Sequence, residues 1–80
     1  MRVIEKQMLD AIAQRKSWKS GNTRVEVRGK EAYVYLWDNH IADVIDVGFD
    51  KWDVIVNQAT LAKWPTRTTK SRLRALNANI

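Results

Sequence analysis

The densest run of residues able to do chemistry lies near the end of the chain. Thr66-Arg67-Thr68-Thr69-Lys70-Ser71-Arg72 sets hydroxyls, cations and backbone N–H groups at the expected start of a helix, with Lys63 before it and Arg74 after it. Phosphate suits this mixture. Guanidinium and ammonium groups make charge-assisted hydrogen bonds to it, and amides at a helix start present the positive end of the helix dipole. At 3.6 residues per turn, Arg67, Lys70 and Arg74 share one outward stripe and Arg72 falls on the opposite flank. Cations at a helix N-terminus oppose the dipole, so Arg67 and Lys70 cost some local stability there.

A second constellation is the alternation Ala32-Tyr33-Val34-Tyr35-Leu36-Trp37. In a strand, Tyr33, Tyr35 and Trp37 project from one face, and an open aromatic face can stack unpaired bases. Aromatic rings serve packing more often than recognition, and the other three tryptophans, Trp18, Trp52 and Trp64, read as packing anchors at element ends.

Other chemistry finds little support. His40 is the single histidine and has no nucleophile beside it in sequence, so a general-base role has nothing to act through. Asp43, Asp46, Asp50 and Asp53 are spaced around a turn, but not at the alternate positions with a central glycine that a calcium loop requires. There is no cysteine, no glycine-rich phosphate loop and no metal-ligand spacing, and no cofactor is implied. The expectation is a protein that is not an enzyme.

The elements that must position these residues follow from periodicity. Ile4, Met8, Ala11 and Ile12 recur on one face of a helix over roughly residues 2–16. Thr23 to Arg28 alternates strictly, with Val25 and Val27 to one side, and reads as a strand. Gly29-Lys30 turns the chain into residues 32–37. Asp38-Asn39 turns it again into residues 40–47, and residues 48–51 turn it into a fourth strand over 52–57. Residues 58–66 read as a helical turn or a loop ended by Pro65. The last helix is expected over about 68–78, capped by Thr66 or Thr68, with Thr69, Leu73, Leu76 and Ile80 on its inner stripe. The fold class is α+β, α-β-β-β-β-α, a four-stranded antiparallel meander with two helices packed on one face, one small domain over residues 1–80.

Composition narrows the partners. The chain has 80 residues, is 45% hydrophobic and 29% charged, and carries a formal net charge of +5. Residues 1–53 hold equal numbers of acidic and basic side chains. Residues 54–80 hold five cations and no acid. The whole excess is C-terminal, and a patch of one sign attracts polyanions over about a Debye length. No long apolar run suggests a signal peptide or a membrane span, so a cytoplasmic setting is expected.

Three stretches resemble a type of small accessory protein of short-tailed bacteriophages, the podoviruses: residues 21–25 (Gly-Asn-Thr-Arg-Val), residues 35–42 (Tyr-Leu-Trp-Asp-Asn-His-Ile-Ala) and residues 64–76, whose Thr-Thr-Lys-Ser-Arg-Leu core is the most specific part. Those phage sequences usually carry His-Gly where Trp37-Asp38 stands and Asn where Arg74 stands. The resemblance implies a viral origin, hence the host cytoplasm, and no particular activity. The layout of helix, antiparallel strands and a final helix with a basic start is also similar to the double-stranded RNA-binding domain, by topology alone.

The expected function is weakly sequence-specific nucleic-acid binding through phosphates, with Lys70, Arg67 and Arg74 as the stripe, Arg72 and Lys63 flanking it, and Thr68 and Ser71 adding hydroxyl or amide contacts. Two alternatives belong to other classes. One is a phage effector docking its basic helix on an acidic host protein. The other is a structural homodimer formed through an open sheet face or an edge strand.

Overall fold

The computed structural model describes residues 2–48 and 51–78. The element order is α1 (Val3–Gln14), β1 (Trp18–Ser20), β2 (Thr23–Arg28), β3 (Glu31–Leu36), β4 (Asn39–Gly48), β5 (Lys51–Val56), α2 (Gln58–Lys63) and α3 (Arg67–Ala75). The class is the expected α+β with an antiparallel meander. The sheet has five strands in sequential order rather than four. The addition is the edge strand β1, which pairs Trp18 with Val25 and Ser20 with Thr23 across the Gly21-Asn22 loop. Three residues are too few for alternation to reveal a strand.

Each helix follows from its stripe. In α1, Met8, Ala11 and Ile12 are buried as the spacing requires, and Arg15 stops the helix in a left-handed conformation (φ 56). In α3 the buried residues are Thr69, Arg72 and Leu73, with Leu76 buried just after it. Ile80, expected on the same stripe, lies outside the described residues. The Thr66 hydroxyl caps α3 by accepting from the Thr69 N–H at 3.1 Å. The Asn57 side chain does the same for α2 from the Thr60 N–H at 3.1 Å.

The sheet is one-sided. Val25, Val34, Ala42 and Val56 stand on a single rung that runs from β2 to β5. They share a core with Met8 and Ile12 of α1 and with Leu73 and Leu76 near the end of the chain, so both long helices cover this face. At about 25 cal/mol per Å² of apolar surface removed from water, each such fully buried aliphatic side chain contributes roughly 1.5–3 kcal/mol.

A bulge in β4 keeps this division consistent. Val34 pairs with Ala42 and Tyr35 with His40, so Ile41 is the extra residue. Regular alternation would turn Ile41 to the open side. The bulge lets Ile41 and Ala42 both face the core, where they are buried. The hairpin loop before it falls one residue earlier than Asp38-Asn39. Leu36 pairs with Asn39, and the two loop residues are Trp37 and Asp38, at φ 49 and 62. Trp37 therefore belongs to the turn and not to the strand. Of the turn over 48–51, Gly48 and Lys51 are a paired strand end, and Phe49 and Asp50 lie outside the described residues.

Candidate nucleic-acid interface

The helix α3 carries charge on two sides, with opposite fates. Inside, Arg72 is only 3% exposed. Its Nη1 donates to Glu5 Oε2 at 2.8 Å and its Nε donates to Thr23 Oγ1 at 3.0 Å. The Ser71 hydroxyl donates to the same Glu5 oxygen at 2.5 Å, and Glu5 Oε1 accepts from the Arg2 N–H at 3.3 Å. The network ties α3 to α1 and β2. Burial opposes ionisation of Glu5, but the hydrogen bonds from Ser71, Arg72 and Arg2 and the Arg72 charge outweigh it, so its pKa is lowered. Arg72 and Ser71 are structural in this arrangement. Arg72, expected in the phosphate site, is thus placed inside and paired with a carboxylate, and the half-exposed Ser71 hydroxyl donates to the same carboxylate.

Outside, Arg67 and Arg74 are exposed and Lys70 is partly exposed on the face of α3 turned from the core. Lys63 is exposed at the end of α2, before Pro65. Among the described residues, none of these four cations has an acid within ion-pair distance. Thr68 is half-buried on the flank of the stripe. The start of α3 offers less to an anion than its sequence suggests, since the Thr69 N–H is already held by Thr66.

Trp64 is the residue sequence reasoning missed here. It closes α2, its backbone N–H donating to Thr60 O at 2.8 Å. The residue is 46% exposed rather than packed as an anchor. Lys63 Nζ lies 5.8 Å from its ring centroid. The pattern Lys-Trp-Pro-Thr-Arg carried the signal: a large ring between two cations and fixed by a proline. Trp18 and Trp52 are packed against the core as expected.

The aromatic strand forms a different surface. Lys19, Arg24, Tyr35 and His40 share one rung on the face away from the helices. The Arg24 guanidinium lies 4.2 Å from the Tyr35 ring centroid, and His40 is 5.4 Å from it on a tilt. Tyr35 is therefore already engaged by its neighbours. The Tyr33 hydroxyl donates to Glu31 at 2.6 Å, which raises its pKa, and its ring meets His40 edge-on at 6.0 Å. Trp37 stands apart in its turn, 55% exposed. The structure does not gather the three rings into one stacking row.

His40 is locked in place. Its Nε2 lies 2.5 Å from Asp43 Oδ1, and its Nδ1 faces the Asn57 amide at 3.3 Å. A tautomer with the proton on Nε2 satisfies both contacts. Elsewhere a cleft of about 270 Å³ opens under the end of α1, walled by Ile12, Val27 and Trp52. Arg15 and Asp46, which form an ion pair, also line it. Among the described residues, no group of three His, Asp or Glu side chains is placed to hold a metal ion, and no helix is long and apolar enough to cross a membrane.

The fold and this surface define a small α+β protein with a cationic helix face. The family model described as Kyanoviridae Gp96 protein matches residues 1–80, and the chain belongs to that family. It is thus a phage protein, as the resemblance implied. The phage type is corrected: Kyanoviridae are myoviruses, not podoviruses. No curated protein and no solved structure matches the chain.

Proposed function

We propose that this phage protein is a non-enzymatic nucleic-acid-binding module of the host cytoplasm, contacting phosphates through the outer face of α3 with little sequence preference. The observation that carries the reading is the division of charge on α3. The inner cation is neutralised by Glu5, while Arg67, Lys70 and Arg74 outside, with Lys63 beside them, have no acid partner among the described residues. Over seven residues at 1.5 Å rise the stripe extends about 10 Å, enough for neighbouring phosphates of one strand. Phosphate contacts position a protein without reading bases, and no base-reading element is evident on this face.

The test is the salt dependence of binding. Four phosphate contacts give log K against log salt a slope of about −3 to −4. Lys70→Glu with Arg74→Glu removes two contacts, reverses two charges and should abolish binding while leaving the circular dichroism spectrum unchanged. Absence of binding at low salt, or a slope near zero, refutes the proposal. So does full affinity in the double variant.

A further inference from the structure

Trp64 is hard to explain by packing. An exposed indole forgoes the burial that Trp18 and Trp52 obtain, and its backbone role at the end of α2 needs no ring. What distinguishes it is its company. Lys63 is within cation–π range at 5.8 Å. Arg67 begins α3 three residues later and is exposed. Pro65 fixes the backbone between them. An exposed aromatic ring with a cation beside it, in a segment that leads into a basic helix, offers a base a π-face and the backbone phosphate contacts.

We infer that Trp64 is a stacking platform for an unpaired base, so that the ligand of this surface is single-stranded nucleic acid. The inference rests on the nucleic-acid reading of α3 and names its ligand class. In a duplex, base faces are covered by their neighbours, and a ring at the surface meets only sugar and phosphate. In a single strand the faces are free to stack on a side chain. The charge is complementary, since Lys63 lies 5.8 Å from the ring centroid and Arg67, Lys70 and Arg74 of the following helix are at least partly exposed. Every base has a π-face, so the site is sequence-tolerant, in keeping with the lack of base-reading residues.

The experiment measures fluorescence anisotropy of labelled oligonucleotides of about 20 nucleotides, longer than the ~4–16 that one small single-strand-binding module covers. The probes are oligo(dT), oligo(U) and a mixed-sequence DNA duplex, with the full chain at about 50 mM salt. Single strands should bind about tenfold or more tightly than the duplex, since one stacked base is worth roughly that in affinity. Trp64→Ala should lose about tenfold on single strands, keep its duplex affinity, and leave the salt slope near −3. Trp64→Phe should retain most of the single-strand affinity. Equal affinity for single strands and duplex overturns the inference, as does a Trp64→Ala loss that is the same for both. Absence of binding to every probe overturns the reading of α3 as well, so the two failures are distinguishable.

Discussion

The buried pair between Glu5 and Arg72 is the feature with the largest calculable consequence. Consider Arg72→Met. The substitution keeps much of the side-chain volume but removes the guanidinium, leaving the Glu5 carboxylate buried with only Ser71 and the Arg2 N–H as donors, and Thr23 Oγ1 without its Arg72 donor. Breaking a buried pair from one side costs about 3–5 kcal/mol, because the remaining charge is uncompensated. A domain of this length has a total stability of about 4–12 kcal/mol at ~0.05–0.15 kcal/mol per residue. The loss is thus about a quarter of the total or more. Urea unfolding followed by tryptophan fluorescence at pH 7 reads it directly. With a slope near 1 kcal/mol per M for a small chain, the midpoint should fall by about 3–5 M. The double variant Glu5→Leu with Arg72→Met removes both charges, and its midpoint should return to within about 1 M of the parent. A single variant that moves the midpoint by less than about 0.5 M would refute the reasoning. A double variant as weak as the single would also refute it, since the damage would then lie in packing rather than in an orphaned charge.

The same pair sets an acid limit. The pKa of Glu5 is lowered in the folded state, so its contribution is fully present above the ordinary glutamate value, about 4.3, and is lost as pH falls through the folded value. The stability gap between the parent and Glu5→Gln should therefore narrow on acidification below about pH 5, and a gap constant down to pH 3 would contradict the assignment. Trp37 holds a left-handed conformation that suits Asn or Gly in a two-residue hairpin loop, and it is largely exposed. Trp37→Asn should raise stability by roughly 1 kcal/mol in the same urea assay, and a lowered midpoint would show that the ring packs more usefully than its exposure indicates.

These features differ in how far they were legible in the chain. Local periodicity sufficed for α1, for the alternating strands β2 and β3, and for the inner stripe of α3 through Thr69, Leu73 and Leu76, because helix and strand repeats are properties of neighbouring residues. The one-sided charge of the last third needed only counting. The hairpin loop falls at Trp37-Asp38, one residue before the Asp38-Asn39 pair that local preference selects. Strand pairing decides register there, and a tryptophan with positive φ is not a residue that local preference selects.

The candidate site divides in the same way. Residue types and helical angles placed Arg67, Lys70 and Arg74 together on the outside of α3 and set Arg72 apart. Only the tertiary structure decided what Arg72 does, because its partner Glu5 lies 67 positions away in the chain and no local pattern links the two. The same holds for Trp64, whose exposure depends on what α2 and α3 leave uncovered once the core is filled. Sequence alone determined which residues are charged, which faces are apolar and where the positive excess lies. Folding determined which of those charges is spent inside, tying α1, β2 and α3 together, and which remain at the surface, since burial and pairing arise from contacts between segments remote in sequence.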